Sequence, residues 1–229
     1  MSLKPIKKSD AKKLDKMKAK KRTTELTELP PRILIVSEGT KTEPYYFEIL
    51  AEKINSKSSK MTSGARVVVE VEGTGRNTTG LYSHLENKYT SADLANYKQI
   101  WLVYDKDDFP KDRFDNAASK AKERNNSKFN AAWSNQSFEL WLVWHFQDYF
   151  AESHRKEYIK VLDKYVSHYE KGDKEVYYYI LKNGDIKEAI KRAKRQERMY
   201  VDDGVMVPSQ MKCASTVYKL VEELMQYIN

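Results

Sequence analysis

The chain has 229 residues, of which 40% are hydrophobic and 32% charged, and its formal net charge is +8. This length and composition are typical of one globular domain with its own hydrophobic core. The single cysteine excludes a disulfide framework and a zinc site made of cysteines. No apolar run is long enough to span a membrane, so we expect a cytoplasmic protein with no membrane contact.

The basic charge is concentrated at the start of the chain. Residues 1–30 contain ten Lys and Arg against four Asp and Glu, whereas residues 31–229 contain 31 against 29. Residues 1–25 have almost no large apolar side chains, so we expect a basic, disordered or frayed tail there. Such a tail is either simply solvated or follows a phosphate backbone, and the sequence leaves both interpretations open.

Four short apolar runs alternate with segments of helical composition in residues 26–135. The runs are Ile33–Val36, Val67–Val69, Ile100–Tyr104 and Phe129–Trp133. The helical segments between them are Pro44–Lys57, Gly80–Tyr89 and Phe114–Arg124. Strands that alternate with helices predict an α/β, Rossmann-like fold with a mainly parallel sheet flanked by helices.

Residues 136–229 show a different, mainly helical pattern. The stretch Phe138–Phe146 is apolar nearly all round and predicts a buried helix. Further helices are predicted at Tyr149–Tyr169, Val176–Leu181, Asp185–Tyr200 and Ser215–Ile228. Since no linker rich in Gly, Pro or Ser separates the two parts, we expect residues 26–229 to form one domain with an added helical C-terminal half.

Acidic side chains follow two of the predicted strands. Glu38 comes after the first strand, just before a helix for which Thr42 is the predicted N-cap, and Asp105 and Asp107 come after the third. Open α/β sheets build their active sites at the carboxyl ends of parallel strands. Two carboxylates on one side of that edge are a ready site for Mg²⁺. An Asp-x-Asp sequence after a strand is also common in turns, so the pattern alone leaves both interpretations open.

Glu139 stands out because it lies inside the otherwise apolar stretch. A buried carboxylate must find a basic partner, remain protonated or bind a cation. The sequence does not decide between an ion pair in the core and a role in metal binding.

Four segments resemble known families. ILIVSEGTKTEPYYF at Ile33–Phe47 and VYDKDDF at Val103–Phe109 resemble the Toprim nucleotidyl-transfer and hydrolase domain. SNQSFELWLVWHF at Ser134–Phe146 and PSQMKCASTVYKLVEEL at Pro208–Leu224 are similar to the RloB family, which is linked to phage defence and restriction loci. The resemblance implies a Toprim-like fold, metal-dependent nuclease activity on DNA or RNA, and a separate ATPase subunit of the ABC or AAA type as partner.

The resemblance also implies roles for single residues. Glu38, Asp105 and Asp107 match the Toprim acids that take part in catalysis and hold Mg²⁺ or Mn²⁺. Three further acids are second-rank candidates for metal binding because nucleases of the related type tend to have additional ones. These are Glu43, Asp108 and Glu139.

Basic residues near these acids and elsewhere are candidates for binding nucleic acid. Lys41, Lys106 and Lys111 lie beside the acids along the chain, and Arg76 lies in the loop after the second strand. Lys191, Arg192 and Arg195 belong to the basic helix of the C-terminal half. Simple charge pairing is the alternative for each of them.

The alternative function is a non-catalytic subunit that keeps the fold and binds nucleic acid or the ATPase. It is motivated by the nearly neutral charge of residues 31–229. The sequence leaves open whether the substrate is DNA or RNA, whether cleavage is internal or from an end, and which oligomer forms.

Overall fold

The computed structural model describes residues 30–61, 66–108, 110–111, 114–117 and 128–228. The predicted tail at residues 1–25 and most of the predicted helix Phe114–Arg124 lie outside these ranges, although residues 114–117 are helical. The strands are β1 Arg32–Ser37, β2 Val68–Gly73, β3 Tyr97–Asp105, β4 Phe129–Asn135 and β5 Ala214–Ser215. The helices are α1 Thr42–Ser58, α2 Thr78–Lys88, α3 Ser91–Ala95, α4 Glu139–Val143, α5 Arg155–Leu162, α6 Lys174–Asn183, α7 Ile186–Asp202 and α8 Val217–Ile228.

The five strands form one sheet in the order β2-β1-β3-β4-β5. The first four are parallel, and β5 pairs antiparallel with β4. All four apolar runs of the sequence are strands, and the α/β class with a mainly parallel sheet and a helical C-terminal part is confirmed. The register places Ser37 beside both Gly73 and Val103, so the carboxyl ends of β1, β2 and β3 meet at one edge of the sheet.

Both faces of the sheet are covered, which explains why β1 and β3 are continuously apolar. Ile33 and Ile35 of β1 point into a core shared with α1 and with helices of the C-terminal half. Leu34 and Val36 point into a second core with α2. The four tryptophans and Cys213 are buried, since none of them is more than 6% exposed.

Some predicted boundaries are wrong. Lys41, not Thr42, occupies the N-cap position of α1, and Thr42 is its first residue. The buried helix predicted at Phe138–Phe146 is helical only over the five residues of α4. An apolar composition indicates burial, and it does not specify how far a helix continues.

The helix predicted at Tyr149–Tyr169 exists only as α5, which has eight residues. After α5, a side-chain oxygen of Asp163 accepts a hydrogen bond from the backbone N–H of Tyr169 at 2.9 Å. Such local side-chain bonds compete with the helical backbone pattern. Tyr149–Tyr169 therefore contains one helix between two irregular segments.

No helix within the described ranges is long and apolar enough to cross a membrane.

Candidate active site

A pocket of about 270 Å³ opens at the edge of the sheet where β1 and β3 end. We call it the acid pocket because five carboxylates contribute to its wall. Its lining residues are Glu38, Gly39, Thr40, Lys41, Thr42, Glu43, Asp105, Asp107, Glu139, Arg155 and Lys171. The structure therefore brings together the three acids assigned to catalysis and two of the three second-rank acids.

Glu38 extends the pairing of β1, since its backbone N–H donates to the carbonyl of Val103 at 2.9 Å. Its carboxylate accepts a hydrogen bond from the Thr78 hydroxyl at 3.1 Å, so the start of α2 helps to hold it. Glu43, in the first turn of α1, is only 5% exposed, and its carboxylate folds back against Gly39. The β1–α1 loop and the first turn of α1 thus supply one acid each to the same pocket.

Asp105 and Asp107 reach the pocket in different ways. Asp105 is the last residue of β3, and its Oδ2 accepts the backbone N–H of Phe138 at 3.0 Å. The strand ends at Asp105, so Asp107 is not brought to the same side as Asp105 by the alternation of side chains along a strand. Asp107 instead adopts a left-handed backbone conformation with φ of 44°, which Asp tolerates better than most residues. Its N–H donates to the carbonyl of Gln136 at 2.9 Å.

Glu139 is the first residue of α4 and is completely buried. The ammonium of Lys171 lies 2.6 Å from its Oε1, and the hydroxyl of Tyr169 donates to the same oxygen at 3.2 Å. Glu139 therefore has the ion pair that was one of the two alternatives left by the sequence, and it also lines the acid pocket. Its role in metal binding stays a prediction.

Asp108, the remaining second-rank acid, turns out of the acid pocket. It accepts hydrogen bonds from the side chains of Gln136 at 2.9 Å and Arg155 at 3.2 Å. It lines a neighbouring cavity of about 540 Å³ together with Lys106 and Lys111. Asp107 borders both cavities and also pairs with Arg155 at 3.0 Å.

The crowding of carboxylates in the acid pocket raises the pKa of most of them. Burial is the main cause for Glu38 and Glu43, and each has a pKa of about 7. Burial also raises the pKa of Asp105 well above its usual range, and the charges of Glu43, Glu139 and Asp107 add to this. The pKa of Asp107 is raised by burial as well, although Arg155 opposes the shift.

Glu139 is the exception among the buried acids. Burial raises its pKa, but the charge of Lys171 and its hydrogen bond outweigh that effect and the net pKa is lowered. The same contact raises the pKa of Lys171 despite partial burial. The pair is therefore ionised at neutral pH. A cation added to the pocket would stabilise the ionised forms of the other acids and lower their pKa.

The donor set of the acid pocket fits a hard divalent cation. Among the described residues, Asp105 Oδ1 and Glu139 Oε2 are buried without a hydrogen-bond partner, and Asp107 Oδ1 has only the ion pair with Arg155 at 3.0 Å. Carboxylate oxygens are the protein ligands that Mg²⁺ and Mn²⁺ prefer. In the part of the chain that the structure describes, no three Asp, Glu, His or Cys side chains are placed so that they could hold a metal ion together. Mg²⁺ usually needs only one or two carboxylates, with water and substrate phosphate completing its shell.

The family comparison decides the relationship of the chain to known proteins. A model of the family described as RloB-like protein matches residues 33–224, which is most of the chain. The chain belongs to the RloB-like family. Comparison with curated proteins and with solved structures gave no match. The match of this RloB-like chain includes every lining residue of the acid pocket.

The basic residues predicted to bind nucleic acid lie in four places in the RloB-like chain, of which helix α7 is the fourth. Lys41 lines the acid pocket, whereas Lys106 and Lys111 line the neighbouring cavity. Arg76 is exposed in the β2–α2 loop, outside the lining of both cavities.

The basic residues of α7 lie apart from the acid pocket. Arg192 and Arg195 both pair with Asp148, at 3.1 and 2.5 Å, and Lys191 pairs with Glu188 at 2.5 Å. Their predicted role in binding nucleic acid stays a prediction.

Three residues of the acid pocket region were not identified from the sequence: Thr78, Arg155 and Lys171. Thr78 lies 40 residues along the chain from Glu38, to which it donates. Arg155 and Lys171 come from segments of mixed polar composition in which many residues are charged. The sequence gives no signal that distinguishes them, because only the folding of the C-terminal half over the sheet edge places them there.

Proposed function

We propose that this RloB-like protein is a metal-dependent nuclease with the Toprim type of site, which hydrolyses phosphodiester bonds of DNA or RNA. One observation carries the proposal: acids from the ends of β1 and β3 and from α4 meet in one pocket. Their oxygens include buried ones without a partner among the described residues. Such an arrangement is unfavourable unless a cation binds.

Asp105 and Asp107 are the residues that would hold Mg²⁺ or Mn²⁺, with Glu38 beside them. When bound, the ion supplies charge neutralisation at the phosphate and lowers the pKa of water near it. Glu38 is suited to accept the proton of the attacking water because it is only partly buried and its pKa is about 7. Thr78 orients the Glu38 carboxylate through its hydrogen bond of 3.1 Å.

Basic side chains around the pocket are suited to bind the phosphates of the substrate. Arg155 and Lys41 line the acid pocket and stand where they can contact the phosphate that is cleaved. Lys106 and Lys111 line the adjoining cavity, which is suited to a neighbouring phosphate of the same strand.

The cellular role follows from the family by analogy. Membership of the RloB-like family supports a role in phage defence from a restriction or abortive-infection locus. The sequence contains no Gly-Lys-Ser or Gly-Lys-Thr phosphate loop, so a separate ATPase subunit would couple nucleotide hydrolysis to cleavage. A gene for a protein with Walker motifs beside this one would support that part of the proposal.

The test is a cleavage assay on supercoiled plasmid, single-stranded DNA and tRNA with Mg²⁺, Mn²⁺ or EDTA, with and without the ATPase of the neighbouring gene. Wild type is compared with Glu38→Gln and Asp105→Asn. We expect cleavage that depends on the metal and falls at least about 100-fold in both variants. Glu222→Gln and Asp202→Asn are matched controls on α8 and α7, far from the pocket along the chain, and should cleave as wild type does.

A non-catalytic subunit is the second candidate. It is favoured by the observation that no three potential ligands among the described residues are placed so that they could hold a metal ion together. This candidate predicts no cleavage under any of these conditions, together with nucleic-acid or ATPase binding that Glu38→Gln and Asp105→Asn leave intact. That result would contradict the nuclease proposal.

A further inference from the structure

The acidic side chains of the pocket fall into two groups that have different basic partners. Asp107, whose charge acts on Glu38, pairs directly with Arg155 at 3.0 Å, although the charge of Lys171 also lowers the pKa of Asp107. Glu43, Asp105 and Glu139 form an inner group whose charges act on one another and on Lys171. Lys171 contacts Glu139 directly, with 2.6 Å between its ammonium and Oε1.

Lys171 is held in this position by contacts at both ends. The buried hydroxyl of Tyr177 donates to its backbone carbonyl at 3.2 Å, and Glu139 binds its ammonium. Its stem is partly exposed, with 45% of the side chain accessible, while Glu139 is 0% exposed. The side chain therefore reaches from the surface into the inner group, and its position does not depend on a surface ion pair alone.

Glu139 shows that the inner group is a site for a cation. Its Oε2 is buried and has no hydrogen-bond partner among the residues that the structure describes. The ionised forms of Glu43, Asp105 and Glu139 are costly together in one pocket unless a positive charge lies among them, since the charges of Glu43 and Glu139 both raise the pKa of Asp105. The ammonium of Lys171 supplies that charge, and a divalent ion cannot occupy the same space.

We propose that Lys171 fills the inner cation position of the acid pocket, so that the protein binds a single divalent cation, at Asp105 and Asp107 with Glu38 beside them. This inference deepens the proposed function and rests on its metal-binding part, although not on cleavage. A lysine in place of a second metal ion provides charge stabilisation without a second bound water.

The test is to count bound Mn²⁺ per full-length chain by equilibrium dialysis, with free Mn²⁺ measured by electron paramagnetic resonance. Wild type is compared with Lys171→Met, which keeps the length of the side chain and removes its charge, and with Lys171→Arg, which keeps the charge. We expect one ion in wild type and in Lys171→Arg. Lys171→Met should bind a second ion at least about tenfold more tightly than wild type does. Lys174→Met is the matched control, because Lys174 lies nearby and pairs with Glu48 and Glu52 instead.

Two ions in wild type would overturn the inference, and so would a single ion in a Lys171→Met protein whose circular dichroism shows that it is folded. The number of Mn²⁺ ions bound by wild type tests the inference even if Lys171→Met does not fold. No bound Mn²⁺ in wild type would overturn this inference and the metal-dependent nuclease together. One ion in wild type and a second in Lys171→Met, without cleavage of any substrate, would overturn the nuclease alone.

Discussion

The carboxylates of the acid pocket carry different charges at neutral pH, although they lie within one small cavity. Glu139 is ionised because Lys171 compensates for its burial. Glu38 and Glu43 each have a pKa of about 7, since burial opposes ionisation and no basic group among the described residues contacts either of them as closely. A group with such a pKa can give up and regain a proton easily near neutral pH, as an acid–base catalyst must.

The raised pKa of Glu38 predicts how the stability of the metal-free protein depends on pH. Its pKa is about 7 in the folded chain against an ordinary value of 4.5, so the folded state binds the proton more tightly. The resulting stabilisation is complete below about pH 4.5 and is lost as the pH rises through 7. Glu38→Gln cannot ionise and should lack this loss. In denaturation experiments with EDTA, the free energy of unfolding of Glu38→Gln relative to wild type should increase by on the order of 1–2 kcal/mol from pH 5 to pH 8. This is less than the full pKa shift would give, because solvent screens a partly exposed group.

Glu222→Gln is the control for this measurement. Glu222 is partly exposed on α8 and pairs with Lys194. The free energy of unfolding of Glu222→Gln should therefore differ from that of wild type by nearly the same amount at both pH values. If the free energy of unfolding of Glu38→Gln differs from that of wild type by the same amount at pH 5 and pH 8, the raised pKa is contradicted and, with it, the assignment of Glu38 as a base.

At the scale of elements, the end of β2 packs against the loop that carries Glu38 and Glu43. A Cβ atom at Gly73 would lie 2.7 Å from the carbonyl oxygen of Gly39 and 2.7 Å from Pro44 Cγ. The first atom belongs to the backbone and the second to a rigid ring, so the loop must move to make room for a methyl group. Gly73→Ala should therefore lower the free energy of unfolding by about 1–3 kcal/mol and should abolish the rise in melting temperature on addition of Mn²⁺.

Gly204→Ala provides the contrast. Gly204 has φ of +76° and no atom within 4 Å of the Cβ position, so the cost comes from backbone strain alone, about 1–2 kcal/mol. This variant should lose stability and keep the full response to Mn²⁺. If Gly73→Ala also keeps that response, the packing of β2 against the loop does not position the acids.

The same scale explains what could be predicted from the sequence. Continuous apolar runs and their alternation with helices were sufficient to predict β1 to β4. The rule that neighbouring parallel strands end at one edge of the sheet was sufficient to predict that Glu38 lies near Asp105. The strand β5 has only two residues and is antiparallel, so periodicity cannot reveal it. Lys171 escaped detection because its role depends on a turn after α5 that brings it to Glu139, 32 positions earlier in the chain.

At the scale of the whole molecule, the α/β part and the helical part share one core. Tyr46 and Phe47 of α1 make edge-to-face contacts with Phe138, at centroid distances of 5.5 and 5.9 Å. The hydroxyl of Tyr46 also lies 3.1 Å from His145 Nε2. The acid pocket itself needs both parts, since Glu139, Arg155 and Lys171 come from the helical part. We therefore expect that residue 135 marks a change of pattern within one folding unit and not an interface between independent folding units.

This shared core predicts that residues 26–135 will not fold alone. Removal of residues 136–229 exposes Tyr46 and Phe47, both of which are 0% exposed in the whole chain, together with other side chains of the same core. Each large apolar side chain contributes about 1.5–3 kcal/mol when buried, and a domain has only about 5–15 kcal/mol of net stability. The fragment should therefore show no cooperative thermal unfolding by circular dichroism. Residues 26–229, which lack only the basic tail, should unfold cooperatively at the temperature of the full chain. A cooperative transition in the fragment 26–135 would show that the α/β part is an independent domain, with the helical part added to it only to complete the pocket.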